Sequence, residues 1–435
     1  MYPLHALQES LCSNPRPGKT VPGNVSDPFS FSFRHQFHRY KHTVAGLYLH
    51  IPFCAKRCIY CDFYFVTTQR QHHTFVEALQ TEITYYASEF AKREPIETIY
   101  FGGGTPSLLS LDEVERILDT LYARFDTSHV HEISFEVNPD DLSLDYLRGL
   151  RALGVNRLSV GIQSFFEDEL AFLGRVHTAE QAQEALELIP QAGFENYTID
   201  LIFGLPDQTP EYWAANLSRA VRAGAPHIST YNLTVEPRTV LHKQVSRGRI
   251  IPPPEEEVSN RYQFTIEFLE ARGYEHYEIS NFAQPGYRSQ HNQLYWEHRN
   301  YLGFGPSAHA FWKYDLPESG TYRWANVRNL RKYEALLNMH QLPLEFKELV
   351  NPDTLANEYI MLRLRTSDGL DLGTLEERYG VDLLTERVDE LAWLESEGFI
   401  HRIRNGRVRL TTRGKLVCDA ITARLLIDTR NYLTD

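Results

Sequence analysis

Cys54, Cys58 and Cys61 carry the most specific chemistry in this sequence, a C-x3-C-x2-C run directly after the apolar stretch 47–51. The whole chain holds only five cysteines, so this clustering is a local device. A cubane iron–sulfur cluster takes one thiolate per iron. Three close thiolates therefore fit either a zinc site short of one ligand or a [4Fe-4S] cluster with one open iron. An open iron can be chelated by an amino and a carboxylate group on one carbon, as S-adenosylmethionine supplies them, with its sulfonium set where the cluster can deliver an electron. Disulfide, redox-pair and purely structural readings are the bland alternatives. The spacing matches neither a paired C-x2-C zinc site nor a small secreted scaffold.

These thiols need a scaffold that presents a loop. From residue 47 the sequence alternates short β-branched or aromatic runs, at 47–51, 98–101, 132–137, 157–162, 197–203 and 228–233, with helical periodicity near 72–91, 111–125, 142–153, 178–193 and 210–223. Six repeats in this order predict an α/β fold with a parallel, barrel-like sheet and right-handed crossovers, incomplete because a closed barrel of this type has eight strands. In such barrels chemistry gathers at the C-terminal ends of the strands. Unusual residues fall there: the cysteine loop after the first run, Gly102, Gly103, Gly104 and Thr105 after the second, Glu136 and Asn138 at the third, Gln163 at the fourth and Asp200 on the fifth. Each has a plain reading too, a tight turn for the glycines and a structural hydrogen bond for a lone polar residue. Glu136, Gln163 and Asp200 each interrupt an apolar run, and a buried polar group is costly without a partner. Three together favour a polar ligand.

The run HIPFC...YCDF, with Tyr60 before the third cysteine, resembles the radical S-adenosylmethionine signature as found in the oxygen-independent coproporphyrinogen III oxidase family. The oxidase carries a further cysteine two positions after the third; here that residue is Phe63, as in the HemW-type haem-chaperone branch. The resemblance spans about residues 46–427. It implies that Cys54, Cys58 and Cys61 hold a [4Fe-4S] cluster. It also implies that Tyr48, Gly103, Gly104, Thr105, Glu136, Gln163, Arg175 and Asp200 contact S-adenosylmethionine. On residue type, Glu136 and Asp200 suit ribose hydroxyls or an ammonium group, and Arg175 suits a carboxylate.

A second constellation occupies residues 287–312, with His291, Asn292, Tyr295 and Trp296 in an HNxxYW pattern and His309 beyond it. A porphyrin needs aromatic and aliphatic walls and a soft nitrogen ligand, but an aromatic cluster around a satisfied core histidine has the same composition. The resemblance implies haem binding by these four residues, with His291 the preferred iron ligand and His309 the fallback.

From about 354, helical patterns at 354–365, 372–379 and 383–397 precede short strands at 399–403 and 408–410, joined through Asn405-Gly406, and a last helix at 412–427. This reads as a winged-helix-like module. Its wing bears Arg402, Arg404, Arg407, Arg409, Arg413 and Lys415. DNA contact, partner contact and a merely solvated hairpin are all open to it. Cys418 in the last helix reads as a small buried hydrophobe.

The expected division is a weakly ordered extension at 1–43 containing an isolated Cys12, a partial barrel at 44–250, a barrel extension at 251–345 and the C-terminal module at 346–435. At 435 residues, 42% hydrophobic and with a formal net charge of −13, the composition is that of a soluble globular protein and disfavours broad nucleic-acid binding. Clustered cysteines and the lack of an apolar leader place it in the cytoplasm. The function expected is that of a haem chaperone binding a [4Fe-4S] cluster, S-adenosylmethionine and haem and handing haem to an acceptor protein. The alternatives are radical decarboxylation of coproporphyrinogen III, and regulation through nucleic-acid binding.

Overall fold

A computed structural model describes residues 44–68, 71–314 and 320–428. The expectations for residues 1–43, Cys12 included, lie outside these. Six strands run parallel in chain order: β1 (Ala45–Ile51), β2 (Ile96–Gly103), β3 (Glu132–Val137), β4 (Arg157–Gln163), β5 (Tyr197–Phe203) and β6 (His227–Asn232). Each of the six predicted runs is a strand, with ends moved by at most two residues. The helices His72–Phe90, Leu111–Arg124, Leu144–Ala152, Ala179–Gln191 and Pro210–Arg222 fill the predicted intervals. Ser110, Ser143, Thr178 and Thr209 cap four of them, each accepting a backbone N–H of the first turn.

The six strands do not close. β1 pairs on its free side with β9 (Tyr301–Phe304), and β6 pairs with β8 (Asn281–Ala283), which continues to β7 (Glu275–Glu278). Beyond β9 follow β10 (His309–Tyr314), β11 (Gly320–Asn326) and β12 (Leu344–Leu349), giving one open twelve-stranded sheet. The partial barrel is thus the expected one. An extension was expected at 251–345, but the four strands beside β1 were not visible in the sequence, where their aromatic residues read as part of a site. Glu82 of the first helix secures it by accepting from Gly305 N–H, Asn326 Nδ2 and Tyr333 Oη at 2.5–2.8 Å.

Register shows why this sheet can hold a polar ligand. Parallel strands covered on both faces are ordinarily apolar throughout. Here they alternate. Leu47, Leu49, Ile51, Ile99, Phe101, Ile133, Phe135, Val137, Leu158, Val160, Ile162, Ile199, Leu201 and Ile228 enter the hydrophobic core. Tyr48, Tyr100, Ser134, Glu136, Ser159, Thr198, Asp200, Ser229 and Tyr231 share the opposite face, as the partners Tyr48↔Tyr100, Glu136↔Ser159 and Asp200↔Ser229 require.

Residues 356–427 contribute a second hydrophobic core. Helices Pro352–Leu364 and Leu372–Tyr379 match prediction. Three details differ. The predicted strand at 399–403 is reduced to single bridges, Ile400↔Leu410 and Arg404↔Arg407, and β14 (Arg407–Val408) pairs instead with β13 (Leu370–Asp371). Burial explains the choice: Val408 and Leu370 are fully buried together, whereas His401, Arg402 and Arg404 face solvent and gain nothing from a ladder. The predicted last helix breaks at Val417 into Thr412–Leu416 and Cys418–Leu425. That break sets Gly414 against the Phe399 carbonyl while Cys418, Ile421 and Leu425 face the core. Helix 383–397 likewise splits at Arg387, whose guanidinium donates to the Leu426 carbonyl at 2.6 Å. Asn405 and Gly406, at φ 52° and 65°, form the predicted tight turn. Among the described residues no helix is long and apolar enough to cross a membrane.

Candidate functional site

The cysteine loop leaves the C-terminal end of β1 and is fastened along its length. Cys54 N–H donates to the Val66 carbonyl at 3.0 Å, and Ile59 N–H to the Leu173 carbonyl at 3.2 Å. His50 Nε2 lies 2.8 Å from the Tyr64 carbonyl, and Arg328 Nη2 donates to the Asp62 carbonyl at 2.9 Å. Because a carbonyl only accepts, His50 carries its proton on Nε2. Its Nδ1 then accepts from the Tyr48 hydroxyl at 3.1 Å. Tyr48 thus stands beside the loop it was predicted to border.

Cys54, Cys58 and Cys61 are free and half-buried, close enough for the charge of one to act on the next. Thr105 Oγ1 donates to Cys54 Sγ at 3.6 Å and Arg175 Nη1 to Cys58 Sγ at 3.7 Å. Burial pushes the Cys54 thiol up to about 11, with its neighbours adding to that and Thr105 opposing it. Burial and the adjacent thiols raise Cys61 further. Such thiols ionise readily only against added positive charge, which metal ligation supplies. Among the described residues no three His, Cys, Asp or Glu side chains converge as ligands of one metal ion. A cubane binds each thiolate at a different iron, so the loop meets its demand without that convergence. The donor set fits a [4Fe-4S] cluster.

The other predicted residues surround the same mouth. Gly104 N–H donates to the Ile51 carbonyl at 2.9 Å, and a Cβ on Gly104 would lie 2.6 Å from the carbonyls of Ile51 and Phe53. Gly103, at φ 106°, donates its N–H to Glu136 Oε2 at 3.0 Å, and Tyr100 Oη donates to Glu136 Oε1 at 2.9 Å. Burial raises the Glu136 carboxyl to about 7 against these donors. Asp200, raised by burial, accepts from Ser159 Oγ at 2.8 Å. Asn138 Nδ2 donates to Thr105 Oγ1 at 3.2 Å, and Arg175 Nη2 donates to Asn138 Oδ1 at 2.5 Å and to the Gly161 carbonyl at 3.0 Å. Arg175 Nε is buried and finds no hydrogen-bond partner, a donor still available to a ligand. Gln163 ends β4 at φ 65°, in the left-handed region, where the β4–β5 register also shifts. A mouth lined with carboxylates, a guanidinium and close-packed glycine backbone fits a small zwitterionic nucleotide such as S-adenosylmethionine. Sequence reasoning missed Tyr100, Ser159 and Tyr231, which share this polar face. Strict two-residue alternation along each strand was the signal for them.

The HNxxYW residues approach the polar face from the opposite end of the strands, where the His291 ring lies 5.1 Å from that of Tyr100. They lie on the helix Gln290–Trp296, packed across the N-terminal ends of β1, β2 and β3. Glu132, the first residue of β3, accepts the N–H groups of Gln290 and His291 at 3.0 and 2.9 Å. His291 is fully buried, with Nδ1 2.7 Å from Thr98 Oγ1 and Nε2 2.9 Å from Tyr295 Oη. Both ring nitrogens therefore meet hydroxyl groups within the fold, and ligation of haem iron by His291 requires one of them to be displaced. Tyr295 and Trp296 are buried as well, and Asn292 is half-buried. A cleft of about 410 Å³ beside this helix is lined by polar groups, among them Thr98, Gln290, Gln293, Arg299 and Asp368, which do not make porphyrin walls. His309, half-buried at the start of β10, is not part of this cluster.

Burial lowers the His291 pKa to about 3, whereas an unfolded imidazole titrates near 6.5. The fold refuses a proton that the unfolded chain takes, so stability present above pH 6.5 is lost as pH falls toward 3. Between pH 7.5 and pH 5, His291→Gln is expected to lose about 2 kcal/mol less unfolding free energy than the unsubstituted protein, at about 1.4 kcal/mol per pH unit below 6.5. Urea titrations at the two pH values measure this; equal losses would place the proton elsewhere.

Comparison with known proteins agrees with this geometry. Residues 48–220 match the radical SAM superfamily and residues 350–417 the HemN C-terminal domain. Heme chaperone HemW of Bacillus subtilis is 36% identical over 373 residues, covering 85% of this chain and 96% of that relative. Heme chaperone HemW of Synechocystis is 37% identical over 363 residues, covering 81% and 84%. Among solved structures, the coproporphyrinogen III oxidase HemN of Escherichia coli superposes with a TM-score of 0.75 at 27% identity, covering 89% of this chain and 91% of that one. With the cysteine loop at the mouth of an open parallel barrel and identity extending over nearly the full length of its relatives, the chain belongs to the HemW family of the radical SAM superfamily.

Proposed function

We propose that this protein is a haem chaperone, which binds haem and passes it to an acceptor protein in the cytoplasm. Cys54, Cys58 and Cys61 would hold a [4Fe-4S] cluster, and Tyr48, Gly103, Gly104, Thr105, Glu136, Gln163, Arg175 and Asp200 would hold S-adenosylmethionine against it. A bound cluster supplies one-electron reduction of the sulfonium. The chain's own residues orient and enclose: Arg175 and Thr105 face the thiolates, Glu136 fixes the Gly103 backbone, and the Tyr48–His50–Tyr64 chain holds the loop. His291, with Asn292, Tyr295 and Trp296 on the same helix, would hold haem through its iron, and His309, half-buried, is the fallback ligand. Residues 44–250, 251–345 and 346–435 serve as barrel, extension and C-terminal module.

The observation that carries this reading is the 36% identity to a heme chaperone over 96% of its length. Phe63, at the position where the oxidase has a cysteine, supports it. The second reading, oxidative decarboxylation of coproporphyrinogen III, draws on the fold shared with HemN. One experiment separates them: the anaerobically reconstituted protein is given haem and coproporphyrinogen III side by side. Haem binding without protoporphyrinogen formation is expected. Sustained decarboxylation, or no haem binding, would reject the chaperone reading.

A further inference from the structure

One face of the C-terminal module carries a contiguous row of aromatic rings and guanidinium groups. Trp393, on the helix Val388–Ser396, lies 5.7 Å from Phe399, between ring centroids. The Arg424 guanidinium sits 4.6 Å from the Trp393 ring and that of Arg413 sits 4.4 Å from the Phe399 ring. Trp393 is 41% exposed, while Trp213, Trp296, Trp312 and Trp324 are at most 2% exposed. The other four bury their rings in the core, so this one is a surface feature.

The loop that follows Phe399 adds charge to the same face. No acidic residue occurs from 398 to 418 in a chain of formal net charge −13. Arg407 is neutralised by Asp371 at 2.9 Å and Lys415 is turned onto His276 at 2.8 Å, but Arg402, Arg404, Arg409 and Arg413 remain exposed around the Asn405–Gly406 turn. On the neighbouring helix Glu395 is turned onto the Ile403 N–H at 3.4 Å, while Asp389 and Glu397 are exposed to either side of Trp393, so the positive charge of this face lies on the turn. The loop is held to the module by Thr411 N–H donating to the Phe399 carbonyl and His401 N–H donating to the Arg409 carbonyl, both at 2.9 Å. The arginines thus stand on a fixed turn next to the aromatic row.

We propose that this face docks an acidic segment of a partner protein. Trp and Arg dominate the energetics of protein interfaces. Arginines already stacked on rings lose less side-chain freedom on binding than free ones do. Charge complementarity favours an acidic partner segment and speeds its association. The assignment of this partner as the haem acceptor rests on the chaperone reading; the docking itself does not.

The test uses the full chain without haem and poly-L-glutamate as the acidic probe. Since Trp393 is the exposed tryptophan, neutral acrylamide quenches its emission selectively. Poly-L-glutamate is expected to cut that quenching by about half at low salt, with protection lost at about 0.5 M salt where screening is short-ranged. The double variant Arg402→Glu, Arg404→Glu, altered only at exposed positions, is expected to bind about tenfold more weakly, as for reversal of interface charges. Unchanged quenching, or equal binding by the variant, overturns the proposal. So does single-stranded polyuridylate protecting Trp393 as well as poly-L-glutamate, since the face would then be a nucleic-acid surface. Because no haem is present, failure here is distinct from failure of the haem titration above.

Discussion

Cys58→Ser is expected to reduce the iron bound after anaerobic reconstitution from about four atoms per chain to near zero, one thiolate per iron being the usual requirement of a cubane. With one of only three thiolates gone, two corners of the cluster would lack a protein ligand, and a serine hydroxyl is a poor substitute for a soft thiolate. The variant should fold, because Cys58 is half-buried and its hydrogen bond from Arg175 Nη1, at 3.7 Å, can be kept by a serine oxygen after a small shift. Cys418→Ser is the matched control. That residue is buried in the C-terminal core, and its loss should cost some stability while leaving the iron content intact. Iron and sulfide analysis with low-temperature electron paramagnetic resonance of the reduced protein decides the matter. Full iron retention by Cys58→Ser, or uptake of zinc in place of iron by the unsubstituted chain, would remove the cluster assignment.

Gly104→Ala is expected to have the next largest effect although it touches no thiol. The methyl group would sit 2.6 Å from two carbonyl oxygens, those of Ile51 and Phe53, and 2.9 Å from Phe53 N. All three are backbone atoms at the exit of β1, so no side chain can swing aside and the strand end itself must move. Overpacking of this kind costs about 3 kcal/mol. The same displacement moves Cys54, which follows Phe53 directly, away from Thr105 Oγ1. Two readouts should therefore fall together, the urea midpoint and the iron content at unchanged cysteine number. Gly373→Ala, where an added Cβ would meet only Asp371 Oδ1 at 3.5 Å, serves as the control expected to change neither. Gly104→Ala with wild-type iron and midpoint would show that the loop tolerates movement of its first anchor.

Agreement between sequence and structure is best where a signal is local. The six parallel strands and their helices were legible because alternating apolar runs, serine and threonine caps and the Asn405–Gly406 turn are short-range patterns. Cysteine spacing is equally local, and the loop that bears it stands where the strand order requires. Pairing partners are not local. β9 joins β1 across about 250 residues of chain, and Val408 pairs with Leu370 in preference to its hairpin neighbour. In both cases burial of a few apolar side chains decided between ladders that the sequence permitted equally.

By itself, then, the sequence determined the chemistry that this chain can offer: three thiols on one loop, polar residues at strand ends, and a scaffold that sets them at one mouth. Tertiary structure decided which side chains remain available. His291 had the composition of an iron ligand, yet the hydroxyls of Thr98, 193 positions away, and Tyr295 already meet its two nitrogens, and ligation requires one to be displaced. Arg175 read as a carboxylate binder and keeps a buried, unpartnered Nε at the mouth. A residue's type fixes how many bonds it can make, and only packing fixes how many are already made.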